Sequence, residues 1–295
     1  MNHKGHLLLL GYGYVAGFLA RAARGWRVSA TARTLSALRA ARREVARVWL
    51  FDGRRPLPDA AWRGVTHVLS SIPPDAMGDP ALRQLSGQLC ARAGQLRWVG
   101  YLSTVGVYGD HGGRRVDERS VCQPVTARGR RRLRAERAWL RLHRQCGVPV
   151  HVFRLPGIYG PGRNPLLKAL TRRGIPVREG QVFSRIHVDD LVRALLLSMT
   201  HPRPGRIYNV VDDEPAPPHE VALFAHELLG LTPPPLKPVE KLDLSPMARS
   251  FYGESKRVGN RRLKRELGWT PQYPTYREGL RALLADKSFS VYISS

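Results

Sequence analysis

Gly11, Gly13 and Ala16 form a G-x-G-x-x-A pattern directly after the apolar run Leu7–Leu10 and directly before a helical stretch. A first glycine permits a tight turn, and a second lets the backbone approach a pyrophosphate. A small third residue lets helix and strand pack closely, with the positive helix end toward the phosphates. Such a loop points to a dinucleotide. Which dinucleotide is decided at the end of the next apolar run, Arg27–Ala32, where the chain reads Thr31-Ala32-Arg33-Thr34. An Asp or Glu there would bind the ribose 2′-hydroxyl of NAD, whereas a guanidinium suits a 2′-phosphate. Arg33 therefore makes NADP the preferred cofactor and NAD the other. Asp52, after the third apolar run, is positioned either to meet the adenine edge or to cap the following turn.

Three further motifs carry chemistry. Leu102-Ser103-Thr104 leads through Val107 to Tyr108-Gly109; Arg154-Leu-Pro156-Gly157 leads to Tyr159-Gly160-Pro161-Gly162; and Arg185-Ile-His187-Val-Asp189-Asp190 precedes a helical stretch. With the glycine loop, in this order over residues 14–213, they resemble the extended short-chain dehydrogenase/reductase superfamily, specifically its NAD(P)-dependent epimerase/dehydratase-like family. Ser255–Trp269 resembles that family's late helix. The resemblance implies hydride transfer at a nicotinamide with a small polar substrate, using a Ser/Thr, Tyr and Lys set. It implies cofactor contacts at Ser103 and Pro156, and substrate contacts at Tyr108, Tyr159, Arg185 and His187.

Thr104 matches the Ser/Thr position, where a hydroxyl holds a substrate oxygen. The Tyr-x-x-x-Lys element is where the chain departs. At its spacing stands Arg128-Gly-Arg130-Arg131-Arg132, with Arg128 for Tyr and Arg132 for Lys. A guanidinium stays protonated and cannot act as an acid/base. Arg132 can still donate to the nicotinamide ribose hydroxyls, and Arg128 can act as an electrostatic donor to an anion or a carbonyl oxygen. Thr104, Arg128 and Arg132 are the catalytic candidates. Tyr108, Tyr159 and His187 are alternative proton donors, each with a plain packing or loop-bracing role as the competing explanation.

These residues need a frame. Short apolar runs at 7–10, 27–32, 45–51, 66–70, 97–102 and 149–153 alternate with helical patterns at 14–24, 35–43, 81–93 and 126–145. Strands separated by helices of that length pair in parallel through right-handed crossovers. The expected class is α/β, a Rossmann-like doubly wound parallel sheet with a smaller C-terminal substrate lobe. Residues 1–155 form the dinucleotide domain, with strands returning at 186–188 and 207–211 (segments near 186–212). Residues 156–285 form mainly the substrate lobe, and 286–295 a flexible tail. The apolar segment Leu7–Ala20 could imitate a signal core, but Gly11, Gly13 and Gly17 interrupt it.

Charge weighs less than it first suggests. The chain carries 48 basic residues, all but seven of them arginine, against 23 acidic ones, for a formal +25. An arginine-dense helix at 128–137 could bind phosphate, but Leu133, Trp139, Leu140 and Leu142 give it an apolar face, and no nucleic-acid motif accompanies it. Nucleic acid is thus the least favoured partner, and an anionic small molecule the more favoured. No apolar run is long enough to span a membrane. Cys90, Cys122 and Cys146 lie far apart without ligand spacing. This argues against a disulfide framework or a zinc site and fits a reducing, cytoplasmic setting. Asp189-Asp190 reads as a cap for a helix from Leu191, Asp212-Asp213-Glu214 as a strand-end turn, and no metal site is expected. The leading expectation is a redox or epimerase/dehydratase-like enzyme, with a catalytically weak dinucleotide sensor or scaffold as the alternative. A homodimer is kept open.

Overall fold

A computed structural model describes residues 4–171, 174–243, 251–286 and 289. The four leucines of Leu7–Leu10 have no polar side to show water, so the strand β1 (His6–Leu10) is buried along its length. Around it lie β2 (Arg27–Ala32), β3 (Arg47–Leu50), β4 (His67–Ser70), β5 (Trp98–Thr104), β7 (Val150–Leu155) and β11 (Ile207–Asn209). They form one seven-stranded sheet in the order β11-β7-β5-β4-β1-β2-β3. The β1–β2, β2–β3, β1–β4 and β4–β5 ladders are parallel, with Leu7 opposite both Val28 and His67. From β1 the chain builds outward to β3 on one side, then returns to β4 and builds the other way. That reversal, between β1 and β4, is the topological switch point at which doubly wound sheets bind ligands.

Between the strands run α1 (Tyr14–Ala22), α2 (Leu35–Ala41), α3 (Pro80–Ala91) and α4 (Ala127–Cys146). Each follows from local sequence. Thr34 and Asp79 cap α2 and α3 through their side chains, and Pro80 supplies a fixed φ at the first helical position. In α4, Leu133, Ala135, Trp139 and Leu142 face the core, while Arg128, Arg130, Arg134 and Arg137 are exposed. The resulting core joins Leu8, Val68, Val99 and Val152 of the sheet to Leu85, Leu89 and Trp139 of the helices.

The chain divides into two compact units, the first comprising residues 1–104, 127–154 and 192–208, and the second residues 105–126, 155–191 and 209–295. The second is built from short pieces. β6 (Arg115–Val116) pairs with β13 (Arg257–Val258), β8 (Gly157–Tyr159) with β10 (Arg185–His187), and β9 (Ile175–Val177) with β12 (Leu236–Pro238), all parallel. Its own core gathers Leu166 and Ala169 of α5 (Pro165–Ala169), Val221 and Ala225 of α7 (Pro218–Leu228), and Tyr276 and Leu280 of α9 (Tyr276–Ala285). Helix α8 (Arg261–Leu267) lies within the stretch expected to be the late helix. Helix α6 (Val188–Thr200) runs through the division at Leu191.

Several expectations change. The strand expected at 186–188 does not return to the main sheet but pairs with β8 alone, whereas the strand expected at 207–211 does return, as β11. Helix α6 starts at Val188 rather than Leu191, so Asp189 and Asp190 lie in its first turn rather than before it. Cys90 and Cys146, expected to be unpaired, are joined by a disulfide with their Cα atoms 5.3 Å apart, and Cys122 is in no disulfide. A separation of 56 residues hides this bond from spacing rules. It forms because the C-terminal ends of α3 and α4 meet. The expected tail at 286–295 lies, apart from Asp286 and Phe289, outside the described residues. Among the described residues no helix is long and apolar enough to cross a membrane.

Candidate functional site

The glycine loop lies at the C-terminal end of β1, beside the switch point. Gly11 has φ +90°, a conformation that favours glycine, and a Cβ there would crowd Ser71 Oγ at 3.0 Å. Two anchors hold the turn. Gly11 N donates to Thr31 Oγ1 at 2.8 Å, and Ser71 Oγ donates to the Gly11 carbonyl at 3.0 Å. Gly13, by contrast, is exposed, and a Cβ built on it would meet nothing within 4 Å. It forms the N-cap of α1, with no side-chain cap and no acid in the first turn. Ala16 is 1% exposed, packed where a larger side chain would push α1 off the sheet.

A nicotinamide dinucleotide is the group that this pattern implies, and the geometry fits its pyrophosphate. The space above Gly13 is clear, the helix end carries partial positive charge, and the first turn of α1 holds no acid. Arg33 is exposed just beyond β2, immediately before the Thr34 cap of α2. Asp52 is exposed and accepts from Arg54 N at 2.9 Å, which is the turn-capping alternative. Tyr12, inside the loop, donates to Glu44, and burial next to that carboxylate pushes its phenol up to about 12.

At the C-terminal end of β5, Thr104 is half-buried and Ser103 is 5% exposed. The Ser103 hydroxyl donates to Glu136 Oε2 at 2.9 Å, and Glu136 also pairs with Arg154, both side chains being almost fully buried. The Ser103 hydroxyl is thus engaged by a buried carboxylate. Arg132, half-buried one helical turn before Glu136, donates to the Leu102 carbonyl at 2.6 Å and lies against the Tyr101 ring. Arg128 is exposed in the first turn of α4. Helix α4 is fixed by Trp139, whose Nε1 donates at 3.0 Å to Asp79, the cap of α3. Glu136, Arg154 and Asp79 are thus positioning residues. Glu136 and Arg154 show in the sequence only as charges inside an apolar stripe and a strand, and Asp79 as an acid before Pro80 at a helix start.

The second unit holds the remaining candidates, and among them Tyr159 and His187 pack together. Tyr108 is fully buried and donates to Asn209 Oδ1 at 2.8 Å. Tyr159 is 5% exposed and lies flat against α9, where a Cβ on Gly279 would come within 2.1 Å of its hydroxyl. Burial pushes its phenol well above the usual range. His187 packs against the rings of Tyr159 and Tyr273, at 5.2 and 4.3 Å between centroids. Its Nδ1 accepts from Asp189 N at 3.3 Å while Nε2 is buried without a hydrogen-bond partner, and desolvation lowers its pKa to about 4. It is neutral near pH 7. Arg185 donates to the Phe183 and Ala216 carbonyls. Asp190 accepts from the backbone N–H groups of Gln272 and Tyr273, so its carboxylate pins the 272–273 segment. Pro156 is half-buried just after β7.

Comparison with known proteins adds a lineage to this geometry. Residues 87–211 match the model of the NAD dependent epimerase/dehydratase family. The chain is 30% identical over 281 residues to Protein YeeZ of Escherichia coli (strain K12), covering 90% of this chain and 95% of that protein. It is similar to the structure of a functionally unknown conserved protein from Silicibacter pomeroyi DSS, with 50% identity, a TM-score of 0.88 and coverage of 96% and 99% of the two chains. It shares its fold with dTDP-glucose 4,6-dehydratase from Bacillus anthracis str. Ames, crystallised with NAD, at 18% identity, a TM-score of 0.78 and coverage of 98% and 97%. The glycine loop at the switch point, the ordered motifs and these similarities agree: the chain belongs to the NAD-dependent epimerase/dehydratase family of the extended short-chain dehydrogenases/reductases.

Proposed function

We propose that the chain is an NAD(P)-dependent oxidoreductase or epimerase/dehydratase-like enzyme that acts on a small polar substrate by hydride transfer. The observation that carries this reading is the clear space over Gly13 at an uncapped helix start, beside the strand-order reversal. NADP is the preferred dinucleotide, because Arg33 is exposed at the β2 end where no acid stands. Once bound, the nicotinamide supplies the hydride acceptor or donor.

The protein's own groups would then hold and orient. The Thr104 hydroxyl binds a substrate oxygen. Arg132 spends one N–H on the Leu102 carbonyl and keeps others for ribose hydroxyls. Arg128 attracts a substrate anion or a developing negative oxygen. Neither arginine exchanges a proton near neutral pH, so the proton comes from substrate, solvent or another side chain. The dTDP-glucose dehydratase that shares the fold makes a sugar nucleotide one substrate class to test.

A second reading, a catalytically weak dinucleotide sensor or scaffold, is favoured by Arg128 at the family's Tyr position and by the burial of Tyr108 and Tyr159. Hydride transfer separates the two. NADPH oxidation across a panel of carbonyl compounds and sugar nucleotides is expected to give turnover that falls at least about tenfold in Thr104→Ala. Dinucleotide binding without turnover on any of them would favour the sensor.

A further inference from the structure

Helix α4 is tied to α3 at two places. Near its middle, Trp139 donates to Asp79, the cap of α3. At the C-terminal ends of both helices, Cys90, the penultimate residue of α3, is bonded to Cys146, the last residue of α4. Both cysteines belong to the first unit and lie half-buried against the core that Leu85, Leu89, Trp139 and Leu142 share. The closed stretch between them contains Thr104, Arg128 and Arg132.

The end of α4 needs that second tie. Arg134, Arg137, Arg141 and Arg144 are all exposed and follow one another at steps of three and four residues, so they line one helix face. Like charges at that spacing destabilise a helix. The single acid of α4 is Glu136, which is buried and committed to Arg154 and Ser103. Beyond Trp139, only Leu142 of this helix is buried. His143 binds the Val148 carbonyl, which closes the following turn but reaches no other helix.

We propose that Cys90–Cys146 is a redox-operated clasp on the arginine-lined end of α4. Oxidised, it pins that end to α3; reduced, it lets the last two turns of α4 open. The half-buried sulfurs are within reach of a thiol reductant. Its thiolate attacks one sulfur, the S–S bond breaks, and a mixed disulfide forms. A second thiol of the reductant displaces the protein sulfur from that intermediate. Two electrons and two protons then reside on Cys90 and Cys146 as thiols, and the reductant leaves as a disulfide. A disulfide oxidant reverses the sequence. As thiols the two side chains still pack as small apolar groups, so the core stays and only the tie is lost. The clasp is open in a compartment kept reducing by thiols and closed in an oxidising one.

The test compares the full chain after oxidised glutathione, after dithiothreitol, and with Cys90→Ala and Cys146→Ala together. Under denaturing conditions a thiol reagent should label only Cys122 in the oxidised chain and all three cysteines in the reduced one. In urea, the unfolding constant of the oxidised chain should be smaller by about a thousandfold, the chain-entropy value for a separation of 56 residues. In native-state hydrogen exchange, the amides of residues 140–147 should exchange at least about tenfold faster in the reduced chain while those of β1 are still protected. The alanine pair should match the reduced chain with or without dithiothreitol, which separates loss of the bond from any other effect of the reductant. None of these readouts depends on dinucleotide binding. The proposal is overturned if all three cysteines label after oxidation, if the unfolding constants differ by less than about tenfold, or if residues 140–147 exchange alike in both states.

Discussion

The glycine loop of the first unit and the Tyr159–Arg185–His187 cluster of the second are both carried by family motifs, yet one is open and the other buried. Gly13 is exposed with clear space above it, while Tyr159, Arg185 and His187 are all below a tenth exposed. In the loop, anchors such as Thr31 and Ser71 fix the turn and leave the phosphate-facing surface open. In the cluster, Tyr159 and Arg185 donate to backbone carbonyls and His187 Nδ1 accepts from a backbone N–H. Motif resemblance therefore identifies two kinds of residue, those kept open for a ligand and those that hold the frame. Only burial and hydrogen bonding tell them apart.

The largest expected effect would break the frame beneath β5. Glu136→Ala leaves the Arg154 guanidinium buried without its carboxylate, a loss of about 3–5 kcal/mol read from denaturant unfolding. A loss below about 1 kcal/mol would mean that the pair does not brace the strand carrying Thr104. Next in size is Arg33→Asp on the open side. It should weaken NADPH about tenfold or more and spare NADH, measured by fluorescence titration. An unchanged preference would remove Arg33 from the site. Smallest is Tyr108→Phe, which deletes the hydroxyl donated to Asn209 and should cost about 1–2 kcal/mol of stability without changing dinucleotide affinity. A change in affinity with unchanged stability would move Tyr108 from the frame to the open class.

Much of the first unit was legible because local signals and fold agree there. The unbroken leucines of β1, the glycine spacing and the strand–helix alternation all follow from backbone chemistry and crossover rules. The second unit was less legible because its strands are two or three residues long, too short for periodicity to show which partner they choose. The strand expected at 186–188 is therefore placed in the main sheet, whereas Arg185–His187 pairs with Gly157–Tyr159. The Cys90–Cys146 bond was illegible for another reason, since it depends on where two helices end rather than on any spacing. Arg128 and Arg132 were visible as departures from the family pattern. That Arg132 already serves the Leu102 carbonyl could be learned only from the structure.

The most direct test of the central claim is calorimetric titration of NADPH and NADH into the native chain and into Gly13→Val. Gly13 has φ −111°, so valine is sterically allowed and should change stability by no more than about 1 kcal/mol, while its side chain fills the space a pyrophosphate needs. The account predicts that the native chain binds both dinucleotides, NADPH more tightly, and that the variant loses at least about a hundredfold with its melting temperature nearly unchanged. Failure of the native chain to bind either one, or equal affinity in Gly13→Val, would contradict it.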